Sequence, residues 1–360
     1  VSLKSFVINH VDRVLEYLKQ NPLVIYARRT VDAYLAAYAL LSALGETAQV
    51  AVVDWPPEGG VCVGFKCEGM YITEREVGID GDAHASEPTS LSHHAASVIH
   101  TLVPVDEEVR RALHVGHYAW SVDYCEYGCA LPRELARGDE RLSVVFPFMD
   151  RLPARKALSL STLPVLPGIT GREAEDSKPA AEMTREEAID LLDWALGVVA
   201  SEGFHTAILD KAVRPYSPAY RPADVAVRVE ADLAGFVDRD VDVYVSGLAE
   251  ALYSTLRRLR DGVITVQNPF YLHKIPPYLS YCLRLVDWVA VKYETARGFA
   301  IALVPPPGRR GSAGAAARAL AELGQVLELP THLVVYVPTN KYTDFLRVYE
   351  EIKEQDSDAA

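Results

Sequence analysis

The chain has no apolar run approaching the roughly 18 residues that a membrane span requires. Its opening segment, Val1–His10, lacks the basic-then-apolar order of a secretory leader. No membrane association is therefore expected, and the cytoplasm is the default compartment. Positive charge is also in deficit: 36 Lys and Arg face 49 Asp and Glu, for a formal net charge of −13. An acidic surface repels phosphate, which excludes broad non-specific binding to duplex DNA. A local basic groove, or a partner with a basic face, remains compatible with that charge. Cysteine is scarce, with five in 360 residues. Cys62 and Cys67, like Cys125 and Cys129, are spaced closely enough to hold zinc. Cys62 lies in a strand-like run without a tight knuckle, however, so buried thiols, or disulfides if the source is a hyperthermophile, are favoured. Internal repeats and coiled-coil heptads are missing as well.

What is present is a hydrophobic fraction of 49%, enough to fill more than one core, over a length that suggests about two domains. Helical spacing of Val7, Val11, Val14, Leu15 and Leu18 predicts an amphipathic helix over Ser5–Gln20, closed by Asn21-Pro22. A short strand, Leu23–Tyr26, leads to a buried helix, Val31–Leu44, with Gly45 at its end. Strands follow at Val50–Val53, Val61–Phe65 and Glu76–Ile79. Strand, helix and strand in this order predict a parallel sheet with right-handed crossovers.

Helices are expected over Leu91–Leu102 and Asp106–Gly116. Residues 150–182 show no long element. Thr184 and Glu187 form a capping box opening a helix to about Ala200. Pro215, Pro218 and Pro222 mark a linker over 213–223, and Leu248–Leu259 is helical, with the basic cluster Arg257, Arg258 and Arg260. A second α/β pattern then begins. It comprises a strand at Val263–Val266, a helix at Tyr278–Leu285 and two strands, Trp288–Tyr293 and Phe299–Val304, joined by a tight turn. An Ala-rich helix at Ser312–Leu323, a strand at Leu333–Val337 and a helix at Tyr342–Ile352 complete it. Gln355–Ala360 is expected to be disordered.

The order of elements resembles the DHH phosphoesterase superfamily, and RecJ-like proteins in particular, most closely over 23–123 and 262–352. The resemblance implies an α/β fold: a parallel-sheet DHH-like domain over 1–212, a linker and connecting helix over 213–261, and a smaller C-terminal α/β domain over 262–356. The family's first motif is a strand followed by His-x-Asp-x-Asp-Gly. In this sequence Arg28 falls at the His, Thr30 at the first Asp and Ala33 at the Gly, so only Asp32 is kept. The second motif expects an Asp after a strand, and Phe65-Lys66-Cys67 has none. For the name-giving motif, Ile79 is followed by Asp80-Gly81-Asp82, with both His replaced. His93-His94 is not taken as the missing pair, since no strand precedes it. The last family ligand, an Asp after a helix, finds Asp123 several residues out of register.

A metal pair about 3.5–4 Å apart needs clustered carboxylates with His support. Asp32, Asp80, Asp82 and Asp123 are the residual candidates, and they are too few to hold two ions, so no metal, no cofactor and no catalysis are expected. Arg28 and Lys66 would put positive charge where metals sit, and would pair with a leftover Asp or touch a phosphate. In the second domain, the family's glycine-rich loop is matched by Gly308-Arg309-Arg310-Gly311 before a helix, a natural anion site or a solvated turn.

By this resemblance the chain is a non-catalytic RecJ-like replication factor of archaeal type, binding GINS and through it the MCM helicase, and contacting single-stranded DNA. The eukaryotic helicase cofactor of that assembly is similar in what it has lost. Two other readings are carried. One is a live manganese-dependent phosphoesterase or single-strand exonuclease, whose activity would vanish in Asp80→Ala. The other is a single-strand-binding module using Arg257, Arg258, Arg260, Arg309 and Arg310 with nearby Tyr side chains.

Overall fold

A computed structural model of the chain describes residues 2–20, 23–44, 48–125, 130–174, 177–236, 240–309 and 312–357. The expectations placed on Asn21-Pro22, Gly45, Cys129, Arg310 and Gly311 lie outside the described residues. The chain is α/β and divides into two compact units. The first holds residues 1–121, 130–141 and 217–222, and the second 122–129, 142–216 and 223–360. These divisions fall elsewhere than the linear boundaries at 212 and 261. The five-stranded C-terminal sheet falls in the unit that also takes in 142–216. No described helix is long and apolar enough to cross a membrane.

The first unit opens with two helices, α1 (Leu3–Asn9) and α2 (Val11–Leu18), in place of one. The break has a local cause. His10 Nδ1 donates to the Phe6 carbonyl (2.9 Å), the acceptor that the His10 N–H would use in a continuous helix. That N–H turns to Val7 O instead (3.1 Å). Then come β1 (Leu23–Arg28), α3 (Val31–Leu44), β2 (Ala48–Val53), β3 (Gly59–Val63), β4 (Glu68–Ile72), β5 (Glu76–Ile79), β6 (Asp82–Ala85), α4 (Leu91–Leu102) and α5 (Glu107–Tyr124). The six strands form one sheet in the order β2-β1-β3-β4-β5-β6.

Pairing is parallel from β2 to β4 and antiparallel from β4 to β6. The sheet is therefore mixed, and sequence patterning missed β4 and β6. Cys62 and Cys67 are joined by a disulfide across the turn between β3 and β4, and Cys125 is also disulfide-bonded. That chemistry replaces the zinc alternative. Helix α3 is apolar almost all round because it is covered on both sides, by β1 and β2 on one and by α4 on the other. Its Ala33, Ala36 and Leu40 share one core with Ala27, Val61, Ile72, Ala95 and Ile99, all at 0–1% exposure.

In the second unit, β7 (Arg141–Val144) and β8 (Val213–Tyr216) make a two-stranded sheet. Around them lie α6 (Ala154–Ser159), α7 (Arg185–Ser201), α8 (Pro222–Leu233) and α9 (Val241–Arg257). The capping box opening α7 is present with both of its hydrogen bonds. The expected linker over 213–223 is instead strand β8, a turn and the start of α8. Further on lie β9 (Val263–Thr265), α10 (Pro269–Lys274), α11 (Pro276–Leu279), β10 (Val289–Thr295) and β11 (Gly298–Val304). The last elements are α12 (Ala313–Leu320), β12 (Gln325–Glu328), β13 (Leu333–Pro338) and α13 (Tyr342–Ser357). The five-stranded sheet runs β12-β13-β11-β10-β9, antiparallel except for β9 with β10.

Two expectations fail here. The helix expected over Tyr278–Leu285 is replaced by the short α10 and α11, each opened by a Pro in its first turn. The tail is helical through Ser357, because Phe345, Tyr349 and Ile352 anchor α13 in the core with Trp288 and Leu320.

Candidate functional site

In open α/β sheets ligands gather at the C-terminal ends of parallel strands. At that end of β1 the chain turns through Arg28, Arg29 and Thr30 into α3. Thr30 is not a carboxylate site but the cap of this helix: its hydroxyl accepts the Ala33 N–H at 3.2 Å. Arg29 reaches outward to Asp54, with contacts of 2.6 and 3.1 Å.

Arg28 points inward and is 1% exposed. Its guanidinium forms an ion pair with Glu74, itself 2% exposed, and donates to the Gly64 carbonyl at 3.1 Å. Nothing in the sequence pattern flagged Glu74, which lies in the turn between β4 and β5. The expectation that Arg28 meets a leftover Asp or a phosphate is corrected accordingly: its partner is a glutamate, and burial closes it to a polyanion.

Asp32, in the first turn of α3, is also buried and is committed elsewhere. Its carboxylate accepts the Leu91 N–H (2.7 Å), the Ser92 N–H (2.9 Å) and the Ser92 hydroxyl (2.5 Å). It thus sits on the positive end of α4 and satisfies amides that the helix itself leaves open. Ser90 caps the same helix through the His93 N–H and also meets His117 Nδ1 at 2.8 Å. Burial pushes the Asp32 carboxyl up to about 7, Glu74 adds to the rise, and the bonds from Ser92 and Leu91 oppose it. Helix α5 passes close by at Gly116. A Cβ there would stand 2.2 Å from Ser92 Oγ and 3.1 Å from Asp32 Oδ1, so only glycine fits. The glycine at which the sequence pattern ended a helix is thus a close-packing residue inside α5.

The remaining candidates lie apart. Asp80 and Gly81, at φ 51° and 90°, form the two-residue turn of the β5–β6 hairpin, which requires positive φ at both positions. Asp80 accepts the Tyr17 hydroxyl and lies 3.6 Å from Arg13, while Asp82 lies 3.2 Å from His10 Nε2. The aspartates that resemble the name-giving motif are thus tied up in hairpin and surface contacts. Lys66 is half-exposed and pairs with Glu76 at 2.5 Å. His94 Nδ1 donates to Thr73 O (2.8 Å), and its Nε2 is 3.0 Å from Ser86 Oγ. Burial pulls its pKa down to about 4, so it is neutral.

Asp123 belongs to the second unit, in the last turn of α5 and not after it. There it accepts Lys274 Nζ at 2.9 Å and the Tyr278 hydroxyl at 2.7 Å. Among the described residues no group of three or more His, Cys, Asp or Glu is placed to hold a metal. The residues present do not fit a metal pair, since the position nearest β1 is filled by a guanidinium and Asp32 is spent on a helix end. Arg309 closes the turn into α12, its carbonyl accepting the Ser312 N–H (3.2 Å) and hydroxyl (2.7 Å).

No family model matches the chain, and no curated protein does. The chain is similar in structure to CDC45 and to RecJ. With CDC45 from Entamoeba histolytica it shares 11% identity at a TM-score of 0.45, over 97% of this chain and 99% of the other. With the manganese complex of RecJ from Thermus thermophilus the identity is 12% and the TM-score 0.43, over 98% of this chain and 55% of that one. A second manganese-bound exonuclease RecJ gives 12% and 0.42, over 98% and 94%.

The basic cluster singled out beside α9 is exposed, and Arg258 turns back on Asp261 at 2.9 Å. That contact is a local i,i+3 ion pair of a solvated helix end.

Proposed function

We propose that the chain is a RecJ-like replication factor that has exchanged its metal centre for a structural ion pair and acts by binding. In this reading it joins a replicative helicase assembly by docking on GINS, and through GINS on MCM, and it contacts single-stranded DNA without cutting it. The supporting observation is the buried Arg28–Glu74 pair at the end of β1. A guanidinium there repels divalent cations. Its removal would leave Glu74 uncompensated in the core, so the pair belongs to the fold. Commitment of Asp32 to the α4 N-terminus supports the same reading.

Two measurements on the purified chain test it. Mixed with purified GINS, the chain should co-elute as a stable complex in size-exclusion chromatography. With end-labelled single-stranded DNA and manganese it should yield no shortened products. Manganese-dependent cleavage that disappears in Asp80→Ala would establish the phosphoesterase alternative and remove this one.

A further inference from the structure

The second unit contains a half-open pocket of about 300 Å³ between β7, β8 and the start of α8. Its wall is apolar and aromatic, from Val145, Phe146, Met149 and Tyr216, and two carboxylates face it, Asp150 and Asp224. Asp224 is the unusual one. It is only 8% exposed. Its Oδ1 accepts the Phe148 N–H at 2.7 Å. Its Oδ2 is buried and has no hydrogen-bond partner among the described residues. Arg151 and Arg228 act on this carboxylate only through their charge. Phe148 is held at φ 59°, which few non-glycine residues adopt, and its N–H is the group that fixes Asp224. The carboxylate is therefore set in place before any ligand arrives, and an unpaired acceptor in a low-dielectric wall is costly to leave unmade.

A donor with positive charge and a slender apolar or planar body satisfies both features at once. A purely apolar occupant would leave Oδ2 unpaired. A metal ion would find only two carboxylates, without the six or so oxygen ligands it prefers. A guanidinium offers several N–H donors in one plane and stacks on aromatic rings, and Phe146 and Tyr216 supply the rings. The pocket also borders β7, whose residues 141–143 are exposed and where Leu142 is 69% exposed. A strand edge of this kind accepts an extended segment from another chain. The net charge of −13 favours a basic one. We infer that this pocket is the anchor point for an arginine side chain presented by an extended segment of a partner protein. Asp224 and Asp150 hold the guanidinium, and the aromatic wall packs against its stem. The inference stands apart from the proposed role in replication, since it uses none of the residues argued there.

The test is fluorescence anisotropy on the full chain. The probe is a fluorescein-labelled peptide, Gly-Val-Val-Arg-Val-Gly, and its control carries citrulline in place of arginine, which keeps the shape and removes the charge. The arginine peptide should bind saturably. The citrulline peptide, and Asp224→Asn with the arginine peptide, should each bind about tenfold more weakly, the loss expected when one partner of a desolvated charge pair goes. Exposed Asp150→Asn should cost about threefold. If Asp224→Asn does not fold, the citrulline comparison and Asp150→Asn still decide. Equal binding of the two peptides, no binding of either, or agmatine competing as well as the whole peptide would each overturn the inference, the last by pointing to a free amine.

Discussion

Each unit buries a charge cluster, and the two are built differently. In the first, one cation meets one carboxylate, Arg28 with Glu74, and the nearby Asp32 is served by helix amides. In the second, Lys274 stands between two carboxylates, Asp123 at 2.9 Å and Glu230 at 2.7 Å. Tyr278 donates to Asp123 at 2.7 Å, and Tyr244 donates to Glu230 at 3.0 Å. Burial would pull Lys274 down, but Asp123 and Glu230 outweigh it and raise its pKa, so the ammonium is retained. Glu230 is raised by burial against the pull of Lys274. The first cluster is balanced and the second carries an excess negative charge, so removal of the cation should hurt the second more.

The largest expected effect is therefore Lys274→Met. It strands two carboxylates and should cost roughly 5 kcal/mol or prevent folding, read by urea denaturation. Arg28→Met should come next, at about 4 kcal/mol, because it strands Glu74 alone. The double change Arg28→Met with Glu74→Leu should restore most of that loss, since a hydrophobic pair of similar volume replaces a buried ion pair nearly neutrally. If the double variant is as unstable as the single one, the Arg28 hydrogen bond to Gly64, and not the charge balance, sets the cost.

This contrast is only half legible in the sequence. Helices α3 and α4 can be read to their observed ends, because their apolar spacing and caps are local signals. Asp80-Gly81 is a strong hairpin signal, yet it reads as a ligand motif because the neighbouring letters match one. Pro222 reads as part of a linker, although proline at a first helical position opens a helix, here α8. Glu74 and Glu230 have no local signature at all. Their partners Arg28 and Lys274 lie 46 and 44 positions away in the chain, and only the sheet and the helices of each unit bring them together. A departure from a motif is visible as a letter, whereas the pairing that satisfies it, Arg28 with Glu74, is visible only in three dimensions.

The third effect is a pH dependence centred on Asp32. Its folded pKa, about 7, lies above the ordinary 3.8. Between those values the folded state holds a proton that the unfolded chain has released. The contribution of Asp32 is therefore complete below about pH 4 and is lost as pH rises through 7, by roughly 4 kcal/mol. Asp32→Asn should remove that slope. A wild-type stability that rises steadily from pH 4 to 7, with no difference in slope from the variant, would mean that the helix amides and not burial govern this carboxyl.

The smallest effect has the opposite sign and comes from His114. It is 1% exposed, stacks edge-on with Tyr220 at 4.9 Å between centroids, and has no hydrogen-bond partner at either ring nitrogen among the described residues. Burial holds its pKa down to about 4, against the pull of Glu140 and Asp139. The unfolded histidine gains a proton near 6.5, so its contribution is whole above that value and is lost as pH falls toward 4, by roughly 3 kcal/mol. His114→Phe keeps the ring contact and deletes both unpaired nitrogens. It should raise the melting temperature by a few degrees at pH 5 and by less at pH 8. An equal gain at both pH values would assign the benefit to packing against Tyr220 instead of to protonation.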